Sequence, residues 1–299
     1  FTNLSRDHLD YHKTVDDYVS TKFSLFKKEG LENAVINIGD SYGARLVEKL
    51  PTDINVFAYS VKKSNLQFYK KEKISFIFCE QIEAESFTAK IIRVQSPWGR
   101  VAIRVNLIGE FNVENILAAF TVLSLSGVPI EEVATVLSCF TGLPGRMEVF
   151  SSSKKPLIVV DYAHTPDALE KALTSLRPYC KGKLFCIFGC GGGRDIGKRA
   201  QMGSVAESLS DKIILTNDNP RYESPDQIFK NILEGIKNKS KVIIKEDRSD
   251  ALISTFIEAN TKDVILFAGK GHEMTQQIGS TIVPFSDREL AKRLTEEHL

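Results

Sequence analysis

Four short runs of the 299-residue sequence set charged or amide side chains beside glycine or proline: Asp161-Tyr162-Ala163-His164-Thr165-Pro166-Asp167, Gly189-Cys190-Gly191-Gly192-Gly193-Arg194, Asn217-Asp218-Asn219-Pro220-Arg221 and Gly269-Lys270-Gly271-His272-Glu273. Arg194 and Arg221 with Asp218 suit a zwitterionic amino acid, because a guanidinium takes a carboxylate through two parallel hydrogen bonds and aspartate accepts from an ammonium. Any one of these residues alone is ordinary turn chemistry. The glycine run also approaches two phosphate-binding motifs and misses each at a residue that matters. Gly192, Gly197 and Lys198 have P-loop spacing, but Arg199 stands where a Mg²⁺-binding hydroxyl belongs. Gly189 and Gly191 begin a dinucleotide fingerprint whose third glycine is replaced by Arg194. Cys190 reads as a small residue that fits the turn, not as a nucleophile.

The elements before and after these runs explain how they could meet. Leu184 to Phe188 is a short apolar run stopped by glycine, the pattern of a strand buried on both faces. Met202, Val205, Ala206 and Leu209 make a helical stripe within Lys198 to Leu209, and Lys212 to Thr216 is a second buried strand. The same alternation continues on both sides: strand 157–160, helix 166–176, helix 225–236, strand 241–244, helix 249–258, strand 263–267 and helix 287–297. Strands alternating with helices of this length predict a doubly wound, mostly parallel α/β sheet, whose ligands bind at the carboxyl ends of the strands. All four polar runs fall at such ends, which predicts a cleft there.

Gly145-Arg146-Met147-Glu148 and the polar run from Ser151 to Lys155 mark a boundary, giving domains 1–150 and 151–299. The first half is predicted to hold strands at 34–38, 56–59, 74–79, 88–95 and 101–107, with Pro97-Trp98-Gly99 turning the last pair. Helices are predicted at 18–28, at 116–125 after an entry segment containing Asn112 and Asn115, and at 130–140. The opening run carries His8, His12, Asp7 and Asp10, residue types that could ligate a metal or orient a phosphate and that also cap helices. Lys22, on the first helix, reads from its surroundings as a solvated lysine.

A formal net charge of +1 gives no electrostatic reason to expect nucleic acid as a partner. The absence of a long apolar run gives none to expect membrane insertion. Five scattered cysteines without metal-ligand spacing point to a reducing, cytoplasmic setting. The expected partners are therefore small molecules, and the expected state is a monomer.

The motifs FTNLSRDHLDYH, GEFNVENILAA, GLPGRMEVF, VVDYAHTPDALE, FGCGGGRDIGKR, TNDNPR and FAGKGHE run in order from Phe1 past Glu273, and together they resemble the Mur ligase family of peptidoglycan synthesis. The resemblance implies part of a central ATPase domain followed by a Rossmann-like domain. It also implies a member that joins meso-diaminopimelate to UDP-N-acetylmuramoyl-L-alanyl-D-glutamate using ATP and Mg²⁺. In that reading His8 is a Mg²⁺ ligand, and Lys22 is carried as a carbamate at the metal. Asn112 and Asn115 meet adenine, Arg146 faces the ATP phosphates, and Asp161 with His164 meets the ribose. Arg194, Asp218, Asn219, Pro220, Arg221, Gly269 and Glu273 hold the amino acid. Gly193 and Thr275 depart from the residues common in relatives. The family's UDP-sugar domain and P-loop have no counterpart here, so the resemblance implies that this chain alone does not turn over ATP. A lysine-adding relative, a folylpolyglutamate synthetase and a Rossmann-type binding module stay open as alternatives, with Arg221 arguing for a second carboxylate on the amino acid.

Overall fold

The computed structural model describes residues 1–7, 9–62 and 73–296, so the expected metal ligand His8 lies outside the described residues. Two compact units are present: Phe1–Ser5 with Tyr11–Thr141, and Arg6–Asp10 with Gly142–Leu299.

The first unit is built on a five-stranded sheet in the order β1 (Asn33–Asn37), β2 (Asn55–Ser60), β3 (Ile74–Ala84), β4 (Lys90–Ser96) and β5 (Gly99–Val105). The first three strands are parallel, and β4 and β5 return antiparallel through the expected turn at Pro97 and Trp98. Alternation along the strands sends one set of side chains to each face. On one face Ile77, Ile92 and Ile103 pack with Leu117 and Phe120 of α3 (Glu110–Leu125) and Val133 and Leu137 of α4 (Ile130–Cys139). On the other, Ile36 and Val56 pack with Val19 and Phe23 of α1 (Val15–Ser24) and Leu46 and Val47 of α2 (Ser41–Lys49).

Two helix starts and one additional helix differ most from the expectation, each for a local reason. The first helix starts at Val15 because Thr14 and Asp17 close a reciprocal capping box. The sequence reading had no helix at 41–49, yet Asp40 caps it, accepting from Tyr42 N at 2.9 Å and Gly43 N at 3.1 Å. The third helix starts at Glu110, directly after the left-handed Gly109, so Asn112 and Asn115 lie within its first two turns and not in an entry loop.

The second unit holds a six-stranded sheet. Its strands are β6 (Glu148–Phe150), β7 (Leu157–Asp161), β8 (Leu184–Phe188), β9 (Lys212–Leu215), β10 (Val242–Ile244) and β11 (Val264–Ala268), in the order β10-β9-β8-β11-β7-β6. All pairings are parallel except that of β6 with β7, which draws Glu148–Phe150 into this unit. Helices α5 (Pro166–Leu176), α6 (Gly197–Leu209), α7 (Pro225–Leu233), α8 (Arg248–Glu258) and α9 (Asp287–Glu296) alternate with the strands, as expected. β8 and β11 have every residue buried, so their near-continuous apolar sequences are what a sheet covered on both faces requires. The last strand lies between the first two of the parallel set, which brings the ends of β7, β11, β8 and β9 side by side. A hairpin of β12 (Thr275–Ile278) and β13 (Thr281–Pro284) follows, which the sequence reading did not include. Its signal was present: Gly279-Ser280 is a two-residue turn between runs rich in Thr, Ile and Val.

Candidate functional site

The loops after β8, β9 and β11 are joined by hydrogen bonds into one polar surface in the second unit. Asn219 sits at its centre. The amide group Nδ2 donates to Glu273 Oε2 at 3.0 Å, while Oδ1 accepts from Lys270 Nζ at 3.0 Å and from Gln277 N at 2.9 Å. Its backbone carbonyl accepts from Gly192 N at 2.9 Å. Both side-chain ends of Asn219 are thus engaged in holding the loops together.

Lys270 is fully buried and also donates to Glu273 Oε2 at 2.7 Å. Burial alone would push the Glu273 carboxyl up, but the bonds from Lys270 and Asn219 outweigh it and hold the group below the ordinary glutamate range. Glu273 is therefore an anion able to take an ammonium. Asp218 lies beside Gly269, where a Cβ would come within 2.9 Å of Asp218 Oδ2, at a glycine whose φ of +114° is outside the range of ordinary residues.

Arg221 has a left-handed backbone, φ +52°, a conformation costing about 1–3 kcal/mol for a non-glycine residue unless its surroundings enforce it. The enforcement comes from the hairpin: Arg221 N donates to Gln277 O at 3.2 Å and Gly279 N donates to Arg221 O at 2.6 Å. Gln276 Nε2 also donates to the carbonyls of Asn217 at 3.3 Å and Asp218 at 2.6 Å. Buried Pro220 precedes Arg221, and Arg221 Nη1 donates to Gly192 O at 2.9 Å. Arg194 is exposed and pairs with Asp10 at 2.9 Å. Of the expected amino-acid ligands, Asp218, Asn219, Pro220, Arg221, Gly269 and Glu273 thus converge, and Arg194 stands on the neighbouring glycine turn.

Beneath the surface lies a buried pair missed by the sequence reading. Arg248 meets Asp287 at 2.8 and 2.7 Å, and its Nη2 donates to Ala268 O at 2.8 Å; both side chains are fully buried. Neither residue sits in a recognisable motif, so nothing in the sequence marked them. Cys190 packs its sulfur 3.8 Å from that of Met202, and burial pushes its thiol up to about 12, which leaves it inert as a nucleophile.

The expected nucleotide residues of this unit form a second group, at the end of β7. Both oxygens of Asp161 accept backbone N–H bonds at 2.8 Å, from Met147 and Ala163. Burial pushes this carboxyl above its ordinary range despite those bonds. The Arg146 guanidinium lies 4.4 Å over the ring of Tyr162, a cation–π contact. His164 Nδ1 donates to Tyr162 O at 2.7 Å, and its Nε2 lies 3.3 Å from Asp7. Gly145 brings this turn against the loop after β11, since a Cβ there would come within 2.2 Å of His272 N. In the first unit, Asn112 Nδ2 donates to Ile108 O and Asn115 Nδ2 to Asn112 Oδ1, while Lys22 is exposed with Nζ 5.6 Å from the Tyr18 ring centre.

Two glutamates tie these turns down and make acid sensitivity predictable. Glu148 accepts from Arg288 at 2.5 and 2.9 Å and from Gly145 N at 2.6 Å; burial would raise its carboxyl, but these bonds hold it below the ordinary range. The Glu223 carboxyl is lowered chiefly by its hydrogen bond from Arg199. A folded value below the unfolded one adds stability that is complete above the unfolded value and lost as pH falls through the folded one. Thermal unfolding followed between about pH 7 and pH 3 should show this loss, and Glu148→Gln or Glu223→Gln should each flatten it.

Among the described residues, no cluster of three His, Cys, Asp or Glu side chains is placed to hold a metal ion, and no helix is long and apolar enough to cross a membrane.

Comparison with known proteins agrees with this division. Residues 1–123 match the Mur ligase middle domain, and residues 145–271 match the "Mur ligase, glutamate ligase domain". A curated relative from Coxiella burnetii, named UDP-N-acetylmuramoyl-L-alanyl-D-glutamate--2,6-diaminopimelate ligase, is 45% identical over 98% of this chain and 59% of its own length. One from Haemophilus influenzae with the same name is 44% identical over 97% of this chain and 58% of its own. A solved structure of a ligase of that name superposes with a TM-score of 0.58 at 33% identity, covering 99% of this chain and 59% of its own. The chain spans about three-fifths of the length of these relatives. With its parallel sheets and matches to both domains in family order, the chain belongs to the Mur ligase family.

Proposed function

We propose that the chain is the ATP- and amino-acid-handling part of a ligase that joins meso-diaminopimelate to UDP-N-acetylmuramoyl-L-alanyl-D-glutamate. The unit ending at Thr141 would belong to the ATP-binding domain, and the unit from Gly142, which takes in β6, would bind the amino acid. The observation that carries the reading is the convergence of Asp218, Arg221 and Glu273 at neighbouring strand ends. This is a set with anions for an ammonium and a guanidinium for a carboxylate. The similarity to diaminopimelate ligases over nearly the whole chain supports it.

In the reaction, a carboxylate oxygen of the glutamyl residue attacks the γ-phosphorus of ATP and ADP leaves. The amine of the amino acid then attacks the acyl carbon, an amide bond forms, and phosphate departs with the carbonyl–oxygen bond cleaved while the amine gives up its proton. Anions at Asp218 and Glu273 hold the distal ammonium away from the reacting one. Arg146 would face the phosphates, where a fixed cation stabilises charge that grows in the transition state. Asp161 and His164 would meet the ribose, and Asn112 and Asn115 the adenine. Arg194 would reach a substrate carboxylate from the glycine turn.

Mg²⁺ is the metal that ligases of this family use with ATP. The described residues alone form no cluster for it. Lys22 would join it as a carbamate: its amine is exposed to CO₂, and carbamylation turns a cation into an anion with carboxylate-like oxygens. In the full-length protein, Lys22→Ala should remove most of the ligase activity, with short carboxylates restoring part of it. Near-normal rates for Lys22→Ala would return the residue to the role of a solvated lysine.

The test of the whole reading is phosphate release by the full-length protein supplied with ATP, Mg²⁺ and the nucleotide dipeptide. Each of meso-diaminopimelate, lysine and glutamate is offered in turn. Turnover dependent on meso-diaminopimelate is expected; turnover with glutamate alone would sink it in favour of a glutamate-adding ligase.

A further inference from the structure

We propose that the buried Arg199 and the part-exposed Glu223 form a clamp that orients the Arg221 guanidinium, and so act as positioning residues for selection of the amino acid's far carboxylate. The inference rests on the function proposed above. Arg199 stands where a P-loop motif would carry a hydroxyl, and it hydrogen-bonds none of the expected amino-acid ligands directly. It is fully buried on α6. Its Nη1 donates to Glu223 Oε1 at 2.5 Å and to Asn231 Oδ1 at 2.9 Å, and its Nη2 donates to Glu223 Oε2 at 2.8 Å and to Gly191 O at 3.3 Å. Glu223 Oε2 in turn accepts from Gly193 N at 3.0 Å. The clamp therefore holds the residue on each side of Gly192. Between them, the Gly192 carbonyl is the acceptor for Arg221 Nη1 at 2.9 Å.

The two loops have little freedom to drift while the clamp is closed. A Cβ at Gly192 would lie 1.9 Å from Pro220 O, so the glycine turn is seated directly on the backbone that carries Arg221. Glu223 N also donates to Pro220 O at 3.1 Å, linking the clamp to the residue next to Arg221. Among the described residues, Nη1 is the only guanidinium nitrogen of Arg221 with a hydrogen-bond partner. Anchoring that corner leaves the Nε–Nη2 edge, the one that accepts a carboxylate with two parallel bonds, for a ligand.

Burying a guanidinium is expensive even beside a part-exposed carboxylate such as Glu223, whose side chain is 23% exposed, and apolar residues of similar volume often serve stability as well or better. Here the expense is compounded, because Arg199 Nε is buried without a hydrogen-bond partner. A packing role alone would not call for such a group. A fixed geometry for the glycine turn does, because a recognition group must be held within about 0.5 Å of its productive position by the residues behind it.

The test uses the full-length protein, first unmodified and then as Glu223→Gln, Arg199→Lys and the milder Asn231→Ala, which removes one bond and leaves the charge pair intact. Circular dichroism and thermal unfolding identify any variant that does not fold. In the folded variants KM for meso-diaminopimelate should rise about 10- to 100-fold, the range typical when a residue supporting a ligand-binding group is lost. The kcat at saturation and KM for ATP should stay near the unmodified values. The kcat/KM for lysine should not fall, because lysine has no distal carboxylate for Arg221 to hold. In an Arg221→Ala background, Glu223→Gln should add nothing further, since the clamp would have lost the group it orients. An equal loss for both amino acids, a fall in kcat alone, or full additivity with Arg221→Ala would overturn the clamp and leave Arg199 a packing residue. If the unmodified protein does not use meso-diaminopimelate at all, the functional reading falls and takes the clamp with it. That outcome is visible before any variant is made.

Discussion

Arg221→Ala in the full-length protein should raise KM for meso-diaminopimelate on the order of 10²-fold and leave KM for ATP nearly unchanged. Diaminopimelate and lysine differ at the far end of the side chain, where only the former carries a carboxylate beside its amine. Arg221 is committed to that region by three restraints: a left-handed backbone at φ +52°, two backbone hydrogen bonds to the β12–β13 turn, and its own bond to Gly192 O. A guanidinium already ordered loses little further entropy on taking a carboxylate, so more of the interaction is realised as binding. Losing one desolvated charge pair of this kind costs about 2–5 kcal/mol, which at room temperature is roughly 30-fold to several thousand-fold. Lysine does not use the pair, and the preference of the variant for diaminopimelate over lysine should narrow by a similar factor. Steady-state kinetics with both amino acids decide the matter. An unchanged preference ratio would move the selectivity to Arg194, which stands exposed on the adjacent turn beside Asp10.

Arg248→Met should destabilise the second unit by about 3–5 kcal/mol, because it leaves the fully buried Asp287 carboxylate without its cation. The arginine makes two bonds to Asp287 and one to Ala268 O, and stacks 4.3 Å from the Phe267 ring centre, so no other group can take its place. Its removal also frees the Ala268 carbonyl immediately before Gly269, and should weaken amino-acid binding in whatever fraction remains folded. Burial already raises the Asp287 carboxyl in the intact protein. Without Arg248 it rises further, and a folded value above the unfolded one means that stability is lost as pH climbs through the folded value. The deficit of the variant should therefore shrink on mild acidification and grow towards neutral pH. Replacing both partners, Arg248→Met with Asp287→Leu, should recover most of the loss, since an apolar pair of similar volume carries no unpaired charge. Urea unfolding of the single and double variants at two pH values measures all three effects. A single variant as stable as the parent would show that the pair carries no net stability.

The strands and helices of the second unit were legible because buried parallel strands leave short apolar runs and the helices between them carry stripes. The first helix begins three residues before its apolar stripe, because the Thr14 and Asp17 cap and not hydrophobic periodicity decides the start. Asn112 and Asn115 fall in the helix and not in its entry segment because the left-handed Gly109 ends the preceding segment, whereas the apolar stripe strengthens only at Ile116. The hairpin at 275–284 has only the Gly279-Ser280 turn to mark it in the sequence, and it supplies the hydrogen bonds that bend Arg221 into its left-handed backbone.

By itself the sequence determined which residue types stand at the strand ends, and through them the kind of ligand chemistry available: guanidiniums for carboxylates, carboxylates for an ammonium. That much is local, because a strand end and the turn after it are contiguous in the chain. What only the tertiary structure decided is which of those residues are free to meet a ligand and which hold others in place. Asn219, a candidate ligand by type, has both ends of its amide engaged by Glu273, Lys270 and Gln277, and Lys270 is buried beneath the site. The side-chain partners of Arg199 lie 24 and 32 residues away, and the side-chain partner of Arg248 lies 39 residues away. Pairing of charges at such separations is set by the order β10-β9-β8-β11-β7, which places distant loops edge to edge. No periodicity records it, because the interaction energy depends on proximity and burial, and both exist only once the sheet has assembled.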